Sequence, residues 1–170
     1  MTKYGKGLAG AAALLALTTT SAQATSACWN GTEQAAAKVR NLQSRLMDST
    51  LRCQIMGFDI TPAYNGFVQQ NRATIQGANG VLRARLGERE YDRFVTWLAN
   101  VADGGQTNGE HCAAAAASAQ AGIAAAGDVE KLLALEAQVG PAPELPGGSC
   151  PVTFAVAAAT ASATADVLQH

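Results

Sequence analysis

The chain has 170 residues, of which 48% are hydrophobic, 15% charged and 5% aromatic, with a formal net charge of -1, and alanine alone fills 37 positions. Large apolar side chains are therefore scarce. This profile excludes both the charged, apolar-poor make-up of a disordered chain and the long apolar runs of a multi-span membrane protein; one domain that buries roughly 70% of its unfolded surface is expected at this length.

Residues 1–24 read as a signal peptide, with Lys3 and Lys6 as the positive start, Leu8 to Leu17 as the apolar stretch and Ala22-Gln23-Ala24 as the small-residue cleavage pattern. A membrane span needs ~20 apolar residues, and Thr18, Thr19, Thr20 and Ser21 interrupt this one too early. Cleavage after Ala24 leaves 146 residues at a net charge of -3, a balance with no general affinity for nucleic acid. The expected location is periplasmic or secreted, with no membrane span remaining after cleavage.

The helical period then begins. Asn30 caps a long amphipathic helix, with Glu33 reaching back to it and Ala35, Val39, Leu42, Leu46 and Cys53 along one face until Gly57. Thr61 as cap and Pro62 at the first helical position open a second helix through Phe67, Ile75, Ala78, Leu82 and Leu86, ended by Gly87. Gly66, Gly77 and Gly80 lie inside it, each costing about 1 kcal/mol relative to alanine, so close helix contact or a bend is expected there. Residues 88–102 repeat the period through Tyr91, Phe94, Val95, Leu98, Val101 and Ala102.

Asp103 to Gly109 is a polar loop, and Thr107-Asn108-Gly109-Glu110 is a second capping-box pattern that starts an alanine-rich helix through Cys112 to about Ala126. Gly127-Asp128 recaps the chain for a short helix through Leu132, Leu135 and Val139. Pro141 to Gly148 cannot continue it. The alanine- and threonine-rich stretch Val152 to Leu168 is compatible with a last helix or with a tail. No segment alternates as a strand would. The expected fold is an all-α antiparallel helical bundle of four to five helices over 25–140 with two disulfides, followed by a Pro/Gly linker and an Ala/Thr-rich C-terminal segment over 141–170.

Four cysteines, Cys28, Cys53, Cys112 and Cys150, all follow the leader, and an even number in an exported chain argues for two disulfides. Their separations of 25, 59 and 38 residues lack the close pairs of zinc sites and of covalent haem. If the helices run up and down, Cys53 near the end of the first and Cys112 near the start of the fourth fall at one end of the bundle. The 11 residues from Gly140 to Cys150 can span up to ~35 Å, enough to return Cys150 to Cys28. The expected pairing is Cys53-Cys112 and Cys28-Cys150.

For chemistry the chain offers little. Glu110-His111-Cys112 joins an acid, an imidazole and a sulfur, but a Cys-His nucleophile needs a free thiolate. His111 is instead expected as a partly exposed helix-start residue. No phosphate loop, dinucleotide glycine pattern, G-x-S-x-G or H-E-x-x-H is present, so no catalytic residue, metal or cofactor is assigned. Tyr64, Asn65, Phe67, Gln70, Asn71, Arg72, Asn79 and Tyr91 are candidates for a polar cleft. Nine lysines and arginines between Lys38 and Arg93 face only five acids, whereas one lysine faces seven acids from Phe94 onward. Most of these basic residues fit solvated helix faces; an anionic ligand is expected, as the alternative, at Arg72, Arg83, Arg85 and Arg89.

The run Leu46-Met47 to Leu51-Arg52-Cys53, with Tyr64-Asn65-x-Phe67-Val68, Asn71-Arg72 and Tyr91-Asp92-x-Phe94, resembles small exported four-cysteine helical proteins of Gram-negative bacteria that have no established role. The resemblance covers roughly residues 28–115. Some such proteins carry the label adenosylhomocysteine hydrolase, which this sequence does not support, because that enzyme needs a dinucleotide-binding βαβ unit. The expectation is an exported structural or interaction module without catalytic activity, meeting an envelope protein or an anionic polysaccharide, with binding of a small or anionic envelope ligand through the basic face as the alternative.

Overall fold

Asn30 receives the backbone N–H of Glu33 at 3.0 Å while the Glu33 carboxylate receives the backbone N–H of Asn30 at 2.8 Å, and this reciprocal cap starts helix α1, Gly31–Ile55. A computed structural model describes residues 28–102 and 107–151. The leader, residues 103–106 of the expected loop and the stretch 152–170 lie outside the described residues. Five further helices follow: α2 Thr61–Gln70, α3 Arg72–Leu86, α4 Glu88–Val101, α5 Gly109–Ala125 and α6 Val129–Val139. Among the described residues there is no strand, and one isolated parallel bridge joins Trp29 to Ser149.

Side-chain contacts fix the helix directions. Arg85, near the end of α3, reaches the Cys28 carbonyl ahead of α1 at 3.3 Å, and Cys53 at the end of α1 is bonded to Cys112 at the start of α5. Both α3 and α5 thus run against α1. Asn41 and Arg45 of α1 meet Glu136 and Pro141 in the same order, so α6 runs alongside α1. The fold is the expected all-α bundle with two disulfides, Cys28-Cys150 and Cys53-Cys112, whose Cα atoms stand 4.8 and 5.6 Å apart.

The expected second helix is divided, which raises the number of helices among the described residues to six. The division falls at Asn71, not at a glycine. Asn71 leaves helical geometry at φ -104° and ψ 15°, and its buried side chain bonds both back to α2 and across to the end of α5. Its Nδ2 donates to the carbonyls of Phe67 and Gly122, both at 2.8 Å, and its Oδ1 accepts the backbone N–H of Gly127 at 2.8 Å. Of the three glycines expected to mark contact or a bend, only Gly66 is in close contact: a Cβ there would press on Ile123, whereas Gly77 and Gly80 face open space. The tightest approach is at Gly122 of α5, where a Cβ would overlap the buried Phe67 ring.

Two caps differ by one residue from expectation. Thr61 is already helical, and Asp59 Oδ1 accepts its N–H at 3.0 Å. At α5 the cap is Asn108 rather than Thr107, with its Oδ1 accepting the His111 N–H at 2.8 Å. An Asn side chain nearer the first turn reaches the free N–H groups that the threonine was expected to satisfy.

Trp29, Leu42, Leu46, Phe67, Leu82, Leu98 and Leu132 are fully buried. Each contributes roughly 1.5–3 kcal/mol of apolar burial, while the many alanines add little. Trp29 is held by a strap, residues 141–150, that returns from α6. The indole N–H donates to Pro146 O at 2.8 Å, the Trp29 N–H to Gly148 O at 2.8 Å, and the Cys150 N–H to Trp29 O at 2.8 Å. The strap turns at Gly147 and Gly148, whose φ values of 84° and 71° are left-handed and favour glycine. No helix among the described residues is long and apolar enough to cross a membrane. Two bridges in a chain of this size, one of them buried between α1 and α5, point to an oxidising, non-cytoplasmic environment.

Candidate functional site

The four arginines proposed for an anionic ligand are not gathered into one site. Arg85 is half-buried against the Trp29 ring at 5.5 Å and lies 3.8 Å from the Glu33 carboxylate. Arg83 is exposed, paired with Glu88 at 3.1 Å and set 4.3 Å over the Tyr91 ring. Both are thus engaged by acids of the bundle. Arg72 and Arg89 are exposed, and Arg72 stands about 16 Å along α3 from Arg83, three helical turns away. The suggested polar cleft does not form either: Phe67, Asn71 and Tyr91 are buried, while Asn65, Gln70 and Arg72 point to solvent.

A more apolar opening lies elsewhere. A groove of about 510 Å³ runs between α4 and the strap, with Leu86, Phe94, Trp97, Leu145 and Pro146 below and Glu90, Arg93 and Glu144 at the rim. Its size falls in the range of ligand sites, ~300–1,000 Å³. Phe94 links the buried Trp29 and the half-buried Trp97, with ring centroids 5.6 and 5.8 Å away. Arg93 and Glu90 pair at 2.7 Å, whereas Glu144 makes no ion pair among the described residues. The signal in the sequence was a tryptophan one position off the α4 core stripe, which Tyr91, Phe94 and Leu98 define.

A buried polar cluster lies between α1 and α6. Asn41 Nδ2 donates to Glu136 Oε1 at 2.7 Å and to Pro141 O at 3.3 Å, and Arg45 Nη2 donates to Pro141 O at 3.2 Å. Burial pushes the Glu136 carboxyl above its ordinary value, more than the Asn41 bond and the charges of Lys38 and Arg45 pull it down. The folded protein therefore binds this proton more tightly than the unfolded chain. The linked stability is full below the ordinary glutamate value and is lost as pH rises through the folded value. Glu136→Gln keeps the acceptor for Asn41 and removes the charge, so its stability advantage over the native protein is expected to widen from pH 4 towards neutrality. Urea midpoints of the two proteins across that range check this; a constant difference would refute it. The exposed carboxylates Asp59 and Asp128, held low by hydrogen bonds from Thr61 and Lys131, act with the opposite sign and cancel in the comparison.

His111, on the first turn of α5, shares a hydrogen bond of 3.2 Å between its Nε2 and Ser49 Oγ. Among the described residues no carboxylate orients this imidazole. Ser49 lies within α1, where backbone N–H groups are taken by helical bonds, so its backbone adds no donor beside the hydroxyl. Among the described residues no three His, Cys, Asp or Glu side chains gather to hold a metal. Fold and sites together define a two-disulfide, all-α bundle with an aromatic groove. No protein-family model matches the chain, and no curated protein or solved structure matches it.

Proposed function

We propose that the chain is an exported structural or interaction module of the cell envelope, periplasmic or secreted, that carries no catalytic activity and holds a protein partner in the groove beneath Trp97. The leader pattern over 1–24 and the two disulfides support export. One observation carries the binding surface: a half-buried tryptophan stacked on Phe94 within an apolar floor. Tryptophans in such settings dominate interface energetics. Glu144 at the rim favours a segment that brings a large apolar side chain beside a basic one.

Capture from envelope extract under non-reducing conditions tests this. The native protein and Arg89→Ala are expected to retain the same partner, and Trp97→Ala to weaken its retention about 30-fold, the loss of ~2 kcal/mol typical of an interface anchor. Equal retention by Trp97→Ala with both disulfides formed would refute the groove. A second reading, binding of an anionic polysaccharide, draws on the exposed Arg72 and Arg89, which make no ion pair among the described residues. That reading requires salt-sensitive retention that falls on changing these two to alanine.

A further inference from the structure

Arg45 is an arginine only 8% exposed, and its guanidinium offers five N–H donors and no acceptor. It gives one hydrogen bond, Nη2 to Pro141 O at 3.2 Å, and its Nε is buried without an acceptor. Gly140 makes the room, since a Cβ there would collide with the guanidinium. Among the described residues no carboxylate stands within ion-pair distance of it; Glu136 of the same cluster feels its charge but is hydrogen-bonded to Asn41 instead. A buried cation without a contacting counter-ion is costly, and the surroundings show where one would fit.

Arg45 lines a cavity of about 200 Å³ between α1, α5 and α6, together with Ser49, His111, Ser118 and Gln138. No acidic side chain lines it. Ser49 and His111 are already within 3.2 Å of each other, and His111 sits on the first turn of α5, where the helix end carries positive partial charge. We infer that this cavity binds a small oxyanion, a carboxylate or a phosphate, with the Arg45 guanidinium supplying the charge and Ser49, His111 and Ser118 supplying further hydrogen bonds. An arginine fork matches the paired oxygens of either group. The cavity admits such a group and is too small for a sugar chain. It shares no lining residue with the Trp97 groove, so the two assignments stand independently.

Titration of the full chain with sodium phosphate and, separately, with sodium acetate, at constant ionic strength, tests the site by NMR. Saturable shifts of the Arg45 Nε–H and of the Ser49 and His111 amides are expected with at least one anion; which one responds separates phosphate from carboxylate. Arg45→Met is expected to weaken binding about tenfold or more, the scale of one charged hydrogen bond. Because Arg45 also holds the strap, Ala114→Leu serves as the second variant: this exposed alanine lines the cavity, and a leucine there obstructs it while leaving Arg45 intact. It should weaken binding to a similar degree, and Trp97→Ala should not. No saturable shift with either anion, or unchanged affinity in Ala114→Leu, would overturn the assignment.

Discussion

The paired variant Cys28→Ser with Cys150→Ser is expected to lose about 5 kcal/mol of stability, and Cys53→Ser with Cys112→Ser about 4 kcal/mol, from the loop entropy that each bridge removes from the unfolded chain. The bridges close separations of 122 and 59 residues. These terms lie at the upper end of the cost of truncating a core side chain, ~2–5 kcal/mol for leucine to alanine, and the core has few large side chains to offset them. The melting temperature is expected to fall by about 15 °C in either variant. The two losses differ in what they expose. Without Cys150 anchored, the strap no longer covers Trp29, so tryptophan emission should shift to the red; without Cys53-Cys112, Trp29 keeps its cover. Calorimetry with fluorescence checks both. Melting temperatures within a few degrees of the native protein would show that helix packing alone holds the bundle.

The second large effect is expected at Asn71. Asn71→Ala removes two donated bonds and leaves the Gly127 N–H without its acceptor where α5 ends. Unsatisfied buried groups cost about 1–3 kcal/mol each, so a loss of about 3–5 kcal/mol is expected. Asn71→Asp should be no better. It restores the acceptor for Gly127 but sets a carboxylate oxygen against the carbonyls of Phe67 and Gly122, which offer no proton. Chemical denaturation of the two variants checks this; a rescue by aspartate would mean that the Gly127 bond alone matters. Asn71 thus does the work of a rivet, joining the α2–α3 junction to the end of α5.

Why was this rivet hidden in the sequence when the helices were plain? Caps and periodicity are local: Asn30 with Glu33, Asp128 with Lys131, and the stripe Tyr91, Phe94, Leu98 lie within one or two turns. The partners of Asn71 lie 51 and 56 residues further on, and an asparagine at a helical spacing looks the same whether it is solvated or buried. The disulfide pairing was legible because alternating helix direction brings Cys53 and Cys112 to one end. The basic face was legible only as a count. That Arg85 is taken by Glu33 and Cys28 and Arg83 by Glu88 depends on how α3 lies against α1 and α4. The groove was hidden for a related reason: its second wall is the strap, which has no periodicity to read.

The Cys28-Cys150 bridge closes a ring around all six helices found among the described residues. Tension applied to the chain on either side of that ring passes through one sulfur–sulfur bond, and the six helices inside carry none of it. Pulled between two anchor points, the protein would behave as an inextensible link whose cargo stays slack, until a reductant cuts the ring and the helices take the load.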